Sequence, residues 1–216
     1  MTHIKICGIT RAQDARLAVE LGAAALGFNF FPPSPRYIVP KAACELALSL
    51  PPMVTAVGIF AEENDAQHVL TTARRAGVQA VQLHGGREEV ARRVAEHYPL
   101  LRAVSVGPQF DPAMLAGLCA RAFLLDGFHQ VLRGGTGKTF DWHVAREAGK
   151  YGVVVLAGGL NAQNVEQAID VAAPFAVDVA SGVESAPGIK DEEKMRAFFQ
   201  AVRRADCRRG SEEERN

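Results

Sequence analysis

A chain of 216 residues with 48% hydrophobic residues can bury a sizeable core, which excludes wholesale disorder and allows one large domain or two small ones. Lysine and arginine together number 24, as do aspartate and glutamate, and this zero net charge argues against nucleic acid or an anionic membrane as partner. The four cysteines (Cys7, Cys44, Cys119, Cys207) include no CxxC pair, which argues against a zinc site or disulfide framework and fits a reducing compartment.

The N-terminus, Met1-Thr2-His3-Ile4-Lys5, lacks the apolar core of a signal peptide. No apolar run approaches the roughly 18–20 residues of a membrane span, so a cytoplasmic location is expected. Ile4 and Ile6 alternate with Lys5 and Cys7, the pattern of a short strand with two contrasting faces. Gly8 breaks it, and Thr10 stands where a helix N-cap belongs ahead of the following apolar-periodic run. A thiol thus sits at the C-terminal end of a strand, where α/β proteins collect their chemistry.

The same rhythm repeats along the chain. Strand-like segments fall at 3–7, 24–30, 54–60, 80–83, 101–106, 122–126, 153–156 and 176–179. Helix-like runs follow at 13–21, 41–50, 65–75, 88–97, 112–119, 141–148, 162–171 and 192–205. Asn64-Asp65 and Asn161 stand as start signals, and Gly77 and Gly149 as stops. Alternating units of this kind build a parallel sheet, because each helix supplies the crossover that parallel strands need. Eight without a linker predict a single-domain (β/α)₈ TIM barrel over residues 1–205. An open doubly wound sheet is the competing architecture, but it calls for a GxGxxG turn after the first strand, and Cys7-Gly8-Ile9-Thr10 is not one. Residues 206–216, mostly charged, are expected to form a disordered tail.

In such a barrel the active site comes from the loops after the strands. The loop after the second strand carries three prolines in four residues, and Arg36 emerges from it with little freedom, suited to bidentate capture of a carboxylate or phosphate. The fourth strand ends in His84, which titrates near neutrality. The sixth places Asp126 after four apolar residues, an environment that raises a carboxyl pKa as a general acid requires. The following loop, 127–139, ends in Gly137-Lys138-Thr139, but Leu132 stands where a Walker motif needs glycine. It reads instead as a glycine-hinged lid. Gly158-Gly159 after the seventh strand and Ser181-Gly182 after the eighth occupy the recurring phosphate site of this fold. Thiol, carboxylic acid, stiffened arginine and phosphate cradle describe proton transfer on a phosphorylated small molecule.

Lys5-Ile6-Cys7-Gly8-Ile9-Thr10, Ser34-Pro35-Arg36-Tyr37, Gln82-Leu83-His84-Gly85, Leu124-Leu125-Asp126, the run from Gly134 to Trp142, Leu156-Ala157-Gly158-Gly159-Leu160, Ala180-Ser181-Gly182-Val183-Glu184 and Pro187-Gly188-Ile189-Lys190-Asp191 occur in order. In this set the chain closely resembles the phosphoribosylanthranilate isomerase family of tryptophan biosynthesis. The resemblance implies an Amadori rearrangement of N-(5-phosphoribosyl)anthranilate without cofactor or metal. It implies Asp126 as general acid, Cys7 as general base and Arg36 as holder of the anthranilate carboxylate. Gly158, Gly159, Ser181 and Gly182 would bind phosphate, with His84 beside the substrate. The helix after Cys7 and the substrate iminium are expected to favour the thiolate. Lys5, sharing an inward face with Cys7, is expected to pair with Asp178. The related isomerase of histidine biosynthesis uses paired aspartates, which Cys7 at the first strand end disfavours. A barrel that merely binds a phosphorylated metabolite needs the glycine turns but neither acid nor thiol. The sequence leaves the oligomeric state open between monomer and homodimer.

Overall fold

The computed structural model describes residues 1–127 and 140–213. Eight parallel strands close into a barrel in sequence order: β1 (His3–Ile6), β2 (Ala25–Asn29), β3 (Thr55–Ala61), β4 (Ala80–His84), β5 (Leu100–Val106), β6 (Ala122–Gly127), β7 (Val153–Leu156) and β8 (Ala176–Val179). The seam is the pairing of first and last strands, with Lys5 opposite Asp178 and Ile6 opposite Val179. The expected (β/α)₈ architecture is what the chain adopts.

Alternation along each strand sorts residues between two cores. Leu124, Val155, Ala157 and Ala176 pack together inside the barrel, joined by Leu101, Ala103 and Ala122. The opposite faces pack outward against the helices in a larger core that includes Phe28, Phe60, Phe123 and Leu125. Since Leu124 faces inward, Asp126, two residues on, does too.

The outer layer is α1 (Ala12–Leu21), α2 (Pro40–Leu48), α3 (Ala66–Ala76), α4 (Glu88–Ala95), α5 (Trp142–Ala148), α6 (Val165–Ala172) and α7 (Glu192–Glu213). Asp65 caps α3 by accepting from the Gln67 N–H at 2.8 Å, and Gly77 ends it in the left-handed region at φ 64°. Asp141 caps α5 in the same way. Among the described residues no helix is long and apolar enough to cross a membrane.

Several local expectations need correction. Thr10 does not cap α1, since its hydroxyl donates to the Gly188 carbonyl at 2.6 Å. Asn161 accepts from the Gln163 N–H but opens a turn that precedes α6 rather than capping it. Gly149 does end α5 as expected, with right-handed backbone. The fifth crossover, where a helix over 112–119 was expected, is a 3₁₀ helix over Pro112–Gly117. A two-stranded hairpin, β9 (Glu184–Ala186) with β10 (Ile189–Lys190), lies between β8 and α7 and was not foreseen.

The charged segment after Ala205 is helical to Glu213, where a disordered tail was expected from residue 206. Asp206 accepts from the Thr2 backbone N–H and hydroxyl, each at 2.7 Å, and Arg208 reaches Glu166 and Asp170 on α6. These partners, distant in sequence, turn the charge run into a docked helix end.

Candidate active site

The site forms at the C-terminal ends of the strands, beginning with β1. Lys5 Nζ lies 2.7 Å from Asp178 Oδ1 with both side chains nearly excluded from solvent, the pairing expected from the sequence. Cys7 follows the strand, still tied to the seam by its N–H donating to the Val179 carbonyl at 2.9 Å. Gly8 then turns the chain at φ 74°, and a Cβ there would stand 2.5 Å from Arg36 Cδ. The aliphatic stem of Arg36 thus lies directly on the turn after the thiol.

Arg36 itself is held by its loop. The Asn29 side chain donates to Ser34 Oγ and accepts from the Phe31 N–H, and Ser34 Oγ accepts from the Arg36 N–H. Its side chain is 14% exposed and makes a two-pronged ion pair: Nε donates to Glu184 Oε1 at 2.9 Å and Nη2 to Glu184 Oε2 at 2.7 Å. A guanidinium has five N–H donors. Two serve Glu184, and the other three have no protein acceptor among the described residues.

Across the mouth, Asp126 ends the inward face of β6. Gly158, in the left-handed region at φ 84°, brings the turn after β7 against it, since a Cβ there would meet Asp126 Oδ1 at 2.8 Å and the Gly127 nitrogen at 2.4 Å. Only glycine permits that approach. On β4, the Gln82 side-chain nitrogen lies 2.6 Å from His84 Nε2, while Gln82 Oε1 is buried without a partner among the described residues.

The turns after β7 and β8 touch each other. A Cβ on Gly182 would sit 1.9 Å from the Leu160 carbonyl oxygen, so the second turn closes directly over the first. The Gly158 and Gly159 N–H groups donate to no acceptor among the described residues, and Ser181 opens a one-turn 3₁₀ helix whose first N–H groups have no acceptor within the helix. Convergent free N–H groups of this kind suit an anion.

Charge sets the state of each group. Burial, with Asp178 adding repulsion, pushes the Asp126 carboxyl up to about 6, although the Gly127 N–H and Lys5 oppose the shift. Burial also pushes the Cys7 thiol above its ordinary range, against the pull of Lys5, Lys190 and Arg36. The expected help from a helix N-terminus is weak because α1 starts only at Ala12. Burial works against the charge of Glu184, but Arg36 and Lys190 outweigh it and hold the carboxyl below its usual range.

One cleft therefore gathers Cys7, Arg36, His84 and Asp126 with Gly158, Gly159 and Ser181. Gly182 is not among the lining residues; its backbone packs against the Leu160 carbonyl instead. Residues 128–139, which carry most of the segment read as a lid, lie outside the described residues. Sequence reasoning missed Asn29, Ser34, Glu184 and Lys190. Ser34, Glu184 and Lys190 stood inside the motifs of the resemblance but were given no role, and nothing local in the sequence shows that Glu184 and Lys190 meet Arg36 and the Cys7 carbonyl.

Residues 4–201 match the family model described as N-(5′-phosphoribosyl)anthranilate (PRA) isomerase. A protein of that name from Syntrophus aciditrophicus is 48% identical over 215 residues, spanning 100% of this chain and 93% of the relative. The crystal structure of phosphoribosyl anthranilate isomerase from Thermus thermophilus superposes with a TM-score of 0.86 at 39% identity, covering 94% of this chain and 98% of that one. Another, of phosphoribosyl anthranilate isomerase in complex with reduced 1-(o-carboxyphenylamino)-1-deoxyribulose 5-phosphate, gives a TM-score of 0.81 at 39% identity, with 94% and 99% coverage.

Proposed function

The chain belongs to the N-(5′-phosphoribosyl)anthranilate isomerase family, and from that premise we propose how the residues of its cleft divide the work of the rearrangement. The reaction is an Amadori rearrangement, from N-(5-phosphoribosyl)anthranilate to the open-chain 1-(2-carboxyphenylamino)-1-deoxyribulose 5-phosphate.

Asp126, protonated, donates to the furanose ring oxygen, and the C1′–O bond breaks as the anthranilate nitrogen supplies its electron pair. The resulting iminium acidifies C2′. The Cys7 thiolate takes the C2′ proton, and the C–H electron pair moves to form an enolamine. Loss of the C2′ hydroxyl proton and protonation at C1′ then give the ketone. C2′ is oxidised and C1′ reduced within one molecule, so electrons balance without an external partner. The phosphate rests on the turns at Gly158-Gly159 and Ser181-Gly182. Arg36 meets the ring carboxylate with the donors that Glu184 leaves over, and His84 borders the sugar.

The observation that carries this assignment is that Cys7 and Asp126 line one cleft together with Arg36 and the turns at Gly158-Gly159 and Ser181. A ligand anchored at both ends would present its sugar to both groups. Asp126→Asn and Cys7→Ala should each lower kcat by about 10²–10⁴-fold, the usual range for general acid–base groups, in proteins that still fold. Fluorescence of the anthranilate ring follows turnover directly. Near-normal kcat in a folded Cys7→Ala protein would remove the thiol from the mechanism.

Arg36→Met should cost about 1.5–3 kcal/mol, the range for a charge-assisted hydrogen bond. That corresponds to roughly 10–150-fold in kcat/KM. The loss should shrink for an analogue lacking the ring carboxylate. Equal losses on both substrates would assign Arg36 to the phosphate or the fold.

A further inference from the structure

Glu184 and Lys190 take no part in the proton transfers, yet they link three pieces of the rim. Lys190 Nζ is fully buried and donates to the Cys7 carbonyl at 2.6 Å, the Ala180 carbonyl at 3.2 Å and Glu184 Oε1 at 2.8 Å. Glu184 in turn holds Arg36 through both carboxylate oxygens and accepts from the Gly188 N–H at 3.3 Å. One ammonium thereby joins the residue bearing the thiol, the residue just before the Ser181-Gly182 turn, and the counter-ion of Arg36.

Stability alone does not account for this arrangement. Buried ion pairs are often no more stabilising than apolar residues of similar volume, because two charges must be desolvated. The contacts are also specific in where they land, on backbone atoms of the loops after β1 and β8. Charge arithmetic adds a second argument. Arg36 and Glu184 alone would be neutral, with nothing net to offer a carboxylate. With Lys190 the triad carries one positive charge, and the guanidinium still presents its unused edge.

We infer that Glu184 and Lys190 are positioning residues for the isomerase: Glu184 fixes the orientation of the Arg36 guanidinium toward the ring carboxylate, and Lys190 holds the thiol loop and the phosphate turn at a set spacing. The inference rests on the reading of Arg36 as the carboxylate anchor. It separates cleanly from a plain counter-ion role. Were Glu184 only neutralising its neighbours, Glu184→Gln would leave the triad with two positive charges and tighten anion binding. A positioning role requires the opposite.

The test is a double-mutant cycle on the full chain with N-(5-phosphoribosyl)anthranilate, using Arg36→Met, Glu184→Gln and the pair, each checked for folding by circular dichroism. Arg36→Met and Glu184→Gln should each raise KM about tenfold or more with kcat changed less than threefold, and the pair should be no worse than Arg36→Met alone. If Glu184→Gln does not fold, Glu184→Asp enters the same cycle, since it keeps the charge but draws it away from the guanidinium. Losses that multiply in the pair, or a KM that falls or holds in either Glu184 variant, would overturn the inference while leaving Arg36 as anchor. A wild-type KM in Arg36→Met would overturn the anchor reading and the inference with it. Lys190→Met should lower kcat as well as raise KM, because it releases the Cys7 carbonyl; a change in KM alone would confine Lys190 to charge balance and sink its part of the proposal.

Discussion

In the proposed mechanism Asp126 and Cys7 are asked to work from protonation states that burial disfavours in combination. The carboxyl must be protonated although it titrates at about 6, and the thiol must be ionised although its pKa is raised. Between the two pKa values, each step up in pH removes acid as fast as it supplies thiolate, so the productive fraction stays level. Below about 6 it falls as the thiolate is lost without further gain of acid. The expected kcat/KM profile therefore climbs to about pH 6, runs flat, and declines only where the thiol ionises. Asp126→Asn should erase the inflection near 6 from the residual activity. Stability gives a second readout with its own sign. The folded carboxyl titrates above its ordinary value of 3.8, so the charged form is the disfavoured one and stability is lost as pH rises from below 3.8 through about 6. At neutral pH Asp126→Asn should therefore raise the melting temperature, by up to about 3 kcal/mol of stability at 1.36 kcal/mol per pKa unit. An unchanged or lowered melting temperature would show that the carboxylate is solvated or well paired.

Among the elements, the turns after β7 and β8 work as one unit. Any side chain at Gly182 collides with the Leu160 carbonyl, so Gly182→Ala must push the two turns apart. KM for substrate should rise at least tenfold, and inorganic phosphate should weaken as a competitive inhibitor in parallel. Unaltered inhibition by phosphate would place the anion elsewhere on the rim. These glycine turns were legible in the sequence because the fold puts anion sites at two known loops, and the eight strand–helix units because apolar spacing repeats along the whole chain. The hairpin β9–β10 was not legible: strands of three and two residues are too short to show a period. Nor was the role of Thr10, which has the chemistry of a cap but meets a carbonyl 178 positions away. The helical course of residues 206–213 was hidden for the same reason, since Thr2, Glu166 and Asp170 hold it from distant parts of the chain. Local composition reports propensity; it does not report who the neighbours will be.

At the scale of the whole molecule, the barrel closes where its first strand meets its last, and the Lys5–Asp178 pair sits on that seam beneath the thiol. Burial works against the Lys5 charge, but Asp178 and Cys7 outweigh it and raise its pKa, so the ammonium form is locked in. Lys5→Met would strand a carboxylate that is 8% exposed. Breaking a buried pair by removing one partner typically costs about 3–5 kcal/mol. The double variant Lys5→Met/Asp178→Leu should recover most of that loss, because apolar residues of similar volume commonly replace a buried pair at little cost. Catalysis should not recover with it. Lys5 is the strongest of the charges that pull the Cys7 thiol down, so its loss leaves the proposed base harder to ionise whatever becomes of Asp178. The loss of Asp178 relieves the opposing push only in part, because Lys5 is the larger influence of the two. The double variant should thus melt near the parent temperature, react more slowly with iodoacetamide at Cys7, and turn over substrate at least tenfold more slowly. Thermal melts with rate measurements separate the two effects. A double variant both stable and fully active would show that the seam pair serves only to close the barrel.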